Sequence, residues 1–154
     1  MKAQKRILCF ILTTCLLFVM LSGCNSQSEE DRLAQEFFYA FYTGDGTTVL
    51  NLVPPQTVNY LRKSAYSYRG IMEEVESFEI TLIPKGKAAV SELKRIEKEY
   101  DSEAGIYLLI EQGFIYDCSY KYTEHDGKSR ERDSAFDIVV GLVDGYWYAI
   151  PANL

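Results

Sequence analysis

The sequence predicts an α+β domain in which helices pack on a curved antiparallel sheet. Three observations carry this. Apolar residues recur at helical spacing between Leu33 and Tyr42. Two Asp-Gly dipeptides, Asp126-Gly127 and Asp144-Gly145, lie between β-rich runs near the end of the chain. Ser77 to Ile83 alternates apolar and polar residues.

The chain of 154 residues opens with a segment that reads as an export signal. Lys2, Lys5 and Arg6 precede an uncharged run from Ile7 to Leu21, short of the ~20 residues that span a bilayer. Leu21-Ser22-Gly23-Cys24 follows. This resembles the lipobox of bacterial lipoproteins, which implies acylation of the Cys24 thiol with a palmitate-type anchor and cleavage just before it. Two acyl chains hold a protein stably on a membrane where one holds it marginally. The expected organisation is therefore a signal peptide over 1–23, a lipidated cysteine and short tether over 24–28, and one domain over 29–154. Four extended residues reach only ~14 Å, so the domain is expected outside the cytoplasm and close to the cell membrane.

Of the four cysteines, Cys9 and Cys15 would leave with the signal and Cys24 would carry lipid. Cys118 alone remains, which leaves no partner for an intrachain disulfide. A mature chain of 131 residues, counted from Cys24 to Leu154, is long enough to bury a core unaided. Loss of Lys2, Lys5 and Arg6 takes the net charge from −6 to −9. That balance argues against nucleic acid, whose binding depends on neutralising phosphates.

Ser28 is an N-cap candidate, with Glu29, Glu30 and Asp31 at the positive end of the first helix. Leu33, Ala34, Phe37, Phe38, Phe41 and Tyr42 form its inner face, and Gly44-Asp45-Gly46 stops it. Thr47 or Thr48 begins a short helix to Leu52, and Pro55 opens a third piece to Leu61. Phe78, Ile80 and Leu82 share one side of a strand that Pro84 should end. Lys87 to Tyr100 reads as a helix with Ala89, Val90, Leu93, Ile96 and Tyr100 inward. Ile106 to Ile110 fits either a helix tail or a strand.

The two Asp-Gly turns join three expected strands, Phe114 to Glu124, Ser129 to Val143 and Tyr146 to Pro151. With two-residue loops, Val143 faces Tyr146, Gly141 faces Tyr148 and Val139 faces Ile150. Tyr120 then faces Asp133, and Tyr116 faces Asp137. One sheet face would collect Tyr116, Cys118, Tyr120, Tyr122, Val139, Tyr146 and Tyr148. The other would collect Ile115, Phe136, Ile138, Val140, Leu142 and Trp147. Neither face is polar enough to meet water. One should pack on helices, and the other should line a cavity, meet a partner or be covered by the N-terminal helices.

The order of elements, Phe37 to Tyr42 with Gly44-Asp45, Val53-Pro54-Pro55 and the closing run Phe136 to Ile150 resemble the cone-shaped nuclear transport factor 2-like superfamily, called cystatin-like in its bacterial lipoprotein members. Many such lipoproteins are similar to domains of unknown function. The family also includes small isomerases, dehydratases and cyclases with an Asp, His or Tyr inside the cone, but none of those residues maps onto a position here.

No catalytic signature, glycine-rich phosphate loop or metal-ligand spacing occurs, so neither a cofactor nor a metal is expected. His125 sits in an expected turn, a poor place for a general base. The expected function is a lipid-anchored, non-catalytic binding or interaction module in the cell envelope. Its partners would be the membrane through Cys24, a small ligand or envelope protein, and a second copy through an open sheet face. The alternative is a cofactor-free acid–base enzyme. It would use a pocket lined by Tyr116, Tyr120, Tyr148, Asp133 and Asp137, in which a desolvated carboxylate acts as base and a tyrosine donates to an oxyanion.

Overall fold

A computed structural model describes residues 27–63 and 75–152. The expected export segment over 1–23, with its lipobox-like Leu21 to Cys24, lies outside them, as does the expected lipidation at Cys24. The described residues form an α+β structure with a five-stranded antiparallel sheet.

Helix α1 spans Glu29–Thr43. Ser28 Oγ accepts the Asp31 N–H at 3.1 Å, satisfying one of the donors that a helix start leaves open. Gly44 closes the helix in the left-handed region, at φ 79°, where a side chain would be strained. Of the expected inner face, Leu33, Ala34, Phe37 and Phe38 are buried, Phe41 and Tyr42 pack partly buried against the same core, and Ala40 is buried with them. Asp45 caps α2 (Gly46–Leu52), accepting from Thr48 N at 3.0 Å and Thr48 Oγ1 at 2.6 Å. Pro55–Thr57 makes one 3-10 turn that leads into α3 (Val58–Lys63).

Strand β1 runs over Val75–Lys87 and pairs with β2 (Gln112–Glu124) along its length. Pro84 does not end it, contrary to the sequence expectation. β1 is an edge strand, and a bulge between Pro84 and Gly86 absorbs the proline without costing a ladder bond in the sheet interior. Phe78, Ile80 and Leu82 do share a side; Ile80 and Leu82 pack against the core beneath α1, and Phe78 lies against the rings of Tyr42 and Tyr120.

Because Lys87 still pairs with Phe114, helix α4 begins later than expected and covers Val90–Ala104. Leu93, Ile96 and Tyr100 are buried, whereas Ala89 caps the helix and Val90 is 74% exposed, so neither packs inward. Residues 106–110 are irregular rather than helix or strand. Leu108 and Ile110 nevertheless bury their side chains, and the Ile110 N–H is satisfied by Glu97 Oε1 at 2.7 Å.

The expected strand over 129–143 is two strands, β3 (Ser129–Asp133) and β4 (Ile138–Val143). Both pair with β2, β3 over residues 119–123 and β4 over 112–116. Strand β5 (Tyr146–Pro151) follows a tight turn with Asp144 at φ 51° and Gly145 at φ 79°. These are the torsions of a two-residue type I′ loop, and the expected pairs Val143–Tyr146, Gly141–Tyr148 and Val139–Ile150 all form.

The other hairpin departs from expectation. Glu124 N donates to Lys128 O, and Gly127 N returns to Glu124 O. The loop is therefore three residues, His125 to Gly127, with Gly127 at φ 81° and no positive φ at Asp126. A three-residue loop shifts the pairing by one residue, and each shift of one turns a strand over. Tyr120 faces Arg132 rather than Asp133, and the break at Ser134 to Asp137 sets Tyr116 opposite Ile138 rather than Asp137.

The single tyrosine-rich face consequently does not form. Tyr116 and Cys118 join Ile138, Val140 and Ala149 in a core under α1, with Phe136 and Trp147 against it. Val139, Val143 and Ile150 belong to a second core with α4, and Ile115 and Tyr148 pack there. Each face of the sheet thus carries a helix-covered core, which answers the apolar composition of both.

Candidate binding site

The register decides which side chains meet. Tyr116 is 3% exposed, and its hydroxyl donates to Asp31 Oδ1 of α1 at 2.8 Å. Burial raises its pKa, and the Asp31 carboxylate raises it further. This tyrosine is a neutral donor tying helix to sheet.

Asp137 faces away from it. Its Oδ1 and Oδ2 accept from Lys85 Nζ at 2.8 and 3.0 Å, and the same ammonium pairs with Asp117 Oδ2 at 3.2 Å. Lys85, lifted into the β1 bulge, joins β1, β2 and the start of β4. Its own pKa is raised, first by the hydrogen bond to Asp137. Asp133 is exposed opposite Ser119, and Tyr148 lies half-buried on the α4 side. The five expected pocket residues are therefore dispersed over both faces.

Where a Tyr/Asp cavity was expected, rings fill the space. Phe38 and Phe41 lie 5.8 and 4.8 Å from Phe136 between ring centroids. Cys118 is wholly buried here, and burial, with the Asp117 carboxylate second, pushes its thiol up to about 12. Such a thiol is inert.

Further along β2 the rings come to the surface. Tyr42 and Tyr120 are 4.4 Å apart, Phe78 and Tyr120 5.9 Å, and Tyr120 and Tyr122 6.3 Å. Tyr39, 49% exposed, stands 6.1 Å from Phe78. The Tyr42 hydroxyl donates to Ser134 Oγ at 2.9 Å, which fixes the break between β3 and β4. The register puts Arg132 beside Tyr120 and Arg130 beside Tyr122, on the same face as the rings. Arg130 is paired with Glu124 Oε1 at 2.6 Å. Arg132 adjoins the Tyr122 hydroxyl and, among the ion pairs of the described residues, has no carboxylate. Burial raises the Tyr120 hydroxyl pKa while Arg132 pulls it back, which marks their proximity.

Sequence reasoning missed Arg132, Phe78, Tyr39 and Tyr42 as a group. The missing signal was loop length, because only a three-residue loop at His125 to Gly127 puts the arginines with the tyrosines. A concavity of about 260 Å³ lies on the α4 side, away from these rings, lined by Lys94, Glu97, Lys98, Asp101, Tyr107 and Leu108. No group of three His, Cys, Asp or Glu side chains suited to a metal occurs among the described residues, and none of their helices is long and apolar enough to cross a membrane. No protein-family model and no curated protein sequence matches this chain.

Proposed function

We propose that this chain is an extracytoplasmic lipoprotein, held on the cell membrane through Cys24, whose domain is a non-catalytic binding module of the nuclear transport factor 2-like, cone-shaped kind. The observation that carries the binding reading is the partly exposed row Tyr39, Phe78, Tyr120 and Tyr122 beside Arg132. Rings supply apolar contact and hydroxyls at low entropic cost, and a guanidinium with no carboxylate partner among the described residues selects an anion. The ligand class is an anionic molecule with an apolar body.

The acid–base alternative has less support. The side chains it needs are already engaged, Tyr116 by Asp31 and Asp137 by Lys85, and Asp133 stands in solvent away from both.

Two measurements test the proposal. Labelling with a palmitate analogue in a bacterial host should mark the wild-type chain and not Cys24→Ser. Label retained in the variant ends the anchoring reading. A thermal-shift screen of anionic and neutral aromatic compounds on the full chain should find stabilisation by the anions only, lost in Arg132→Ala. Equal stabilisation of wild type and Arg132→Ala by the same compound ends the binding reading.

A further inference from the structure

Each sheet face carries a helix-covered core, but the sheet is open. The strand order is β1–β2–β4–β5, so the outer edges of β1 and β5 have no strand partner among the described residues. Edge strands carry a row of unused N–H and C=O groups, and proteins usually blunt them with proline, charge or bulges. The C-terminal end of β1 is blunted by Pro84, the bulge before Gly86, Lys85 and Lys87. A second irregularity lies between Val75 and Ser77. Between the two, Ser77 to Ile83 keeps unbroken register with β2, holds no proline and carries one charge, Glu79. Ile83 is 37% exposed.

We infer that this edge pairs with the same edge of a second copy, antiparallel about a two-fold axis at Ile80. The self-complementarity of the run is the argument. Ile80 is the midpoint of the regular stretch, so the pairing that uses all of it sets Ile80 against Ile80 and Phe78 against Leu82. Ile80 and Leu82 already pack on the core beneath α1, with Phe78 against the rings of Tyr42 and Tyr120, and the second copy continues that apolar row across the joint. On the opposite side Glu79 meets Thr81 and Ser77 meets Ile83. The two Glu79 carboxylates fall on a diagonal instead of directly opposite, where like charges destabilise. An isologous contact of this kind closes at a dimer. A foreign strand would have to supply the same alternation, and nothing in the chain specifies one. The inference does not depend on the lipid anchor.

The test uses the full-length chain in mild detergent. Thr81 of one copy should lie about 7–8 Å from Thr81 of the other across the diagonal, so Thr81→Cys should cross-link to dimer with a short bis-maleimide. The yield should exceed by about tenfold that of Glu103→Cys, an exposed site on α4, with wild type reporting the background from native cysteines. Sedimentation should show a dimer that Thr81→Glu weakens at least about tenfold, by setting carboxylates opposite each other, and that Thr81→Lys preserves or tightens. Thermal melts of both variants report folding separately. A monomer at all concentrations overturns the inference. So does equal cross-linking at positions 81 and 103, equal weakening by Glu and Lys, or a dimer indifferent to both.

Discussion

Tyr116 and Asp31, 85 positions apart in the chain, are joined by a hydrogen bond of 2.8 Å from the tyrosine hydroxyl to a carboxylate oxygen. It links the middle of β2 to the first turn of α1, the turn nearest the proposed tether. A buried hydroxyl donating to a charged acceptor contributes more than an average hydrogen bond. Tyr116→Phe should lower the unfolding free energy by about 1–3 kcal/mol, read by urea denaturation. No loss, together with an unchanged m-value, would mean that the bond is not formed in solution.

The same region fixes the response to alkali. Burial raises the pKa of Tyr116, Tyr120 and Tyr42, and pushes Cys118 up to about 12. These groups are acids whose folded pKa lies above the unfolded value, so the native state holds their protons longer. Their contribution is complete below the unfolded pKa, about 8.5 for a thiol and 10 for a phenol, and is lost as pH climbs through the folded values. Stability should fall above about pH 9 with no counterpart loss from these groups at neutral pH. Mass spectrometry should find Cys118 unalkylated by iodoacetamide in the native protein at that pH, and alkylated once urea unfolds it. Rapid native alkylation would contradict the buried placement.

Gly113 marks a close approach between β2 and β4. A Cβ there would stand 2.6 Å from Val139 Cγ1 and 3.3 Å from Leu93 Cδ2. Valine is stiff at χ1 and sits between β4 and α4, so it cannot swing aside. Gly113→Ala should cost about 1–3 kcal/mol by overpacking. An unchanged or raised melting temperature would show that the α4 core is looser than this contact requires.

Lys85 bridges two carboxylates but is itself 41% exposed. Water screens the pair, and holding a long side chain in place costs entropy. Lys85→Gln should therefore reduce stability by less than about 1 kcal/mol, and the difference should shrink in high salt. A loss several times larger, insensitive to salt, would indicate that the cluster is shielded in a way the exposure does not suggest.

Much of the scaffold is legible along the chain. Ser28 and Gly44 bound α1 because capping is local chemistry, settled within four residues. Asp144-Gly145 yields the final hairpin in its expected register because both residues take positive φ. Asp126-Gly127 is the same dipeptide with a different outcome. Only Gly127 turns left-handed, which admits a third loop residue. Pro84 misleads for a related reason, since a proline stops an interior strand and is tolerated at an edge.

By itself the sequence determined the α+β class, the caps of the first helix and the final hairpin with its register, since each depends on neighbours within a turn or a strand. The tertiary structure alone decided which tyrosines meet which charges. A loop longer by one residue, and a break between β3 and β4, moved Arg132 to Tyr120 and turned Asp137 toward Lys85. The side-chain period of a strand is two, so a single-residue shift reassigns every contact on the sheet, and no local pattern records it.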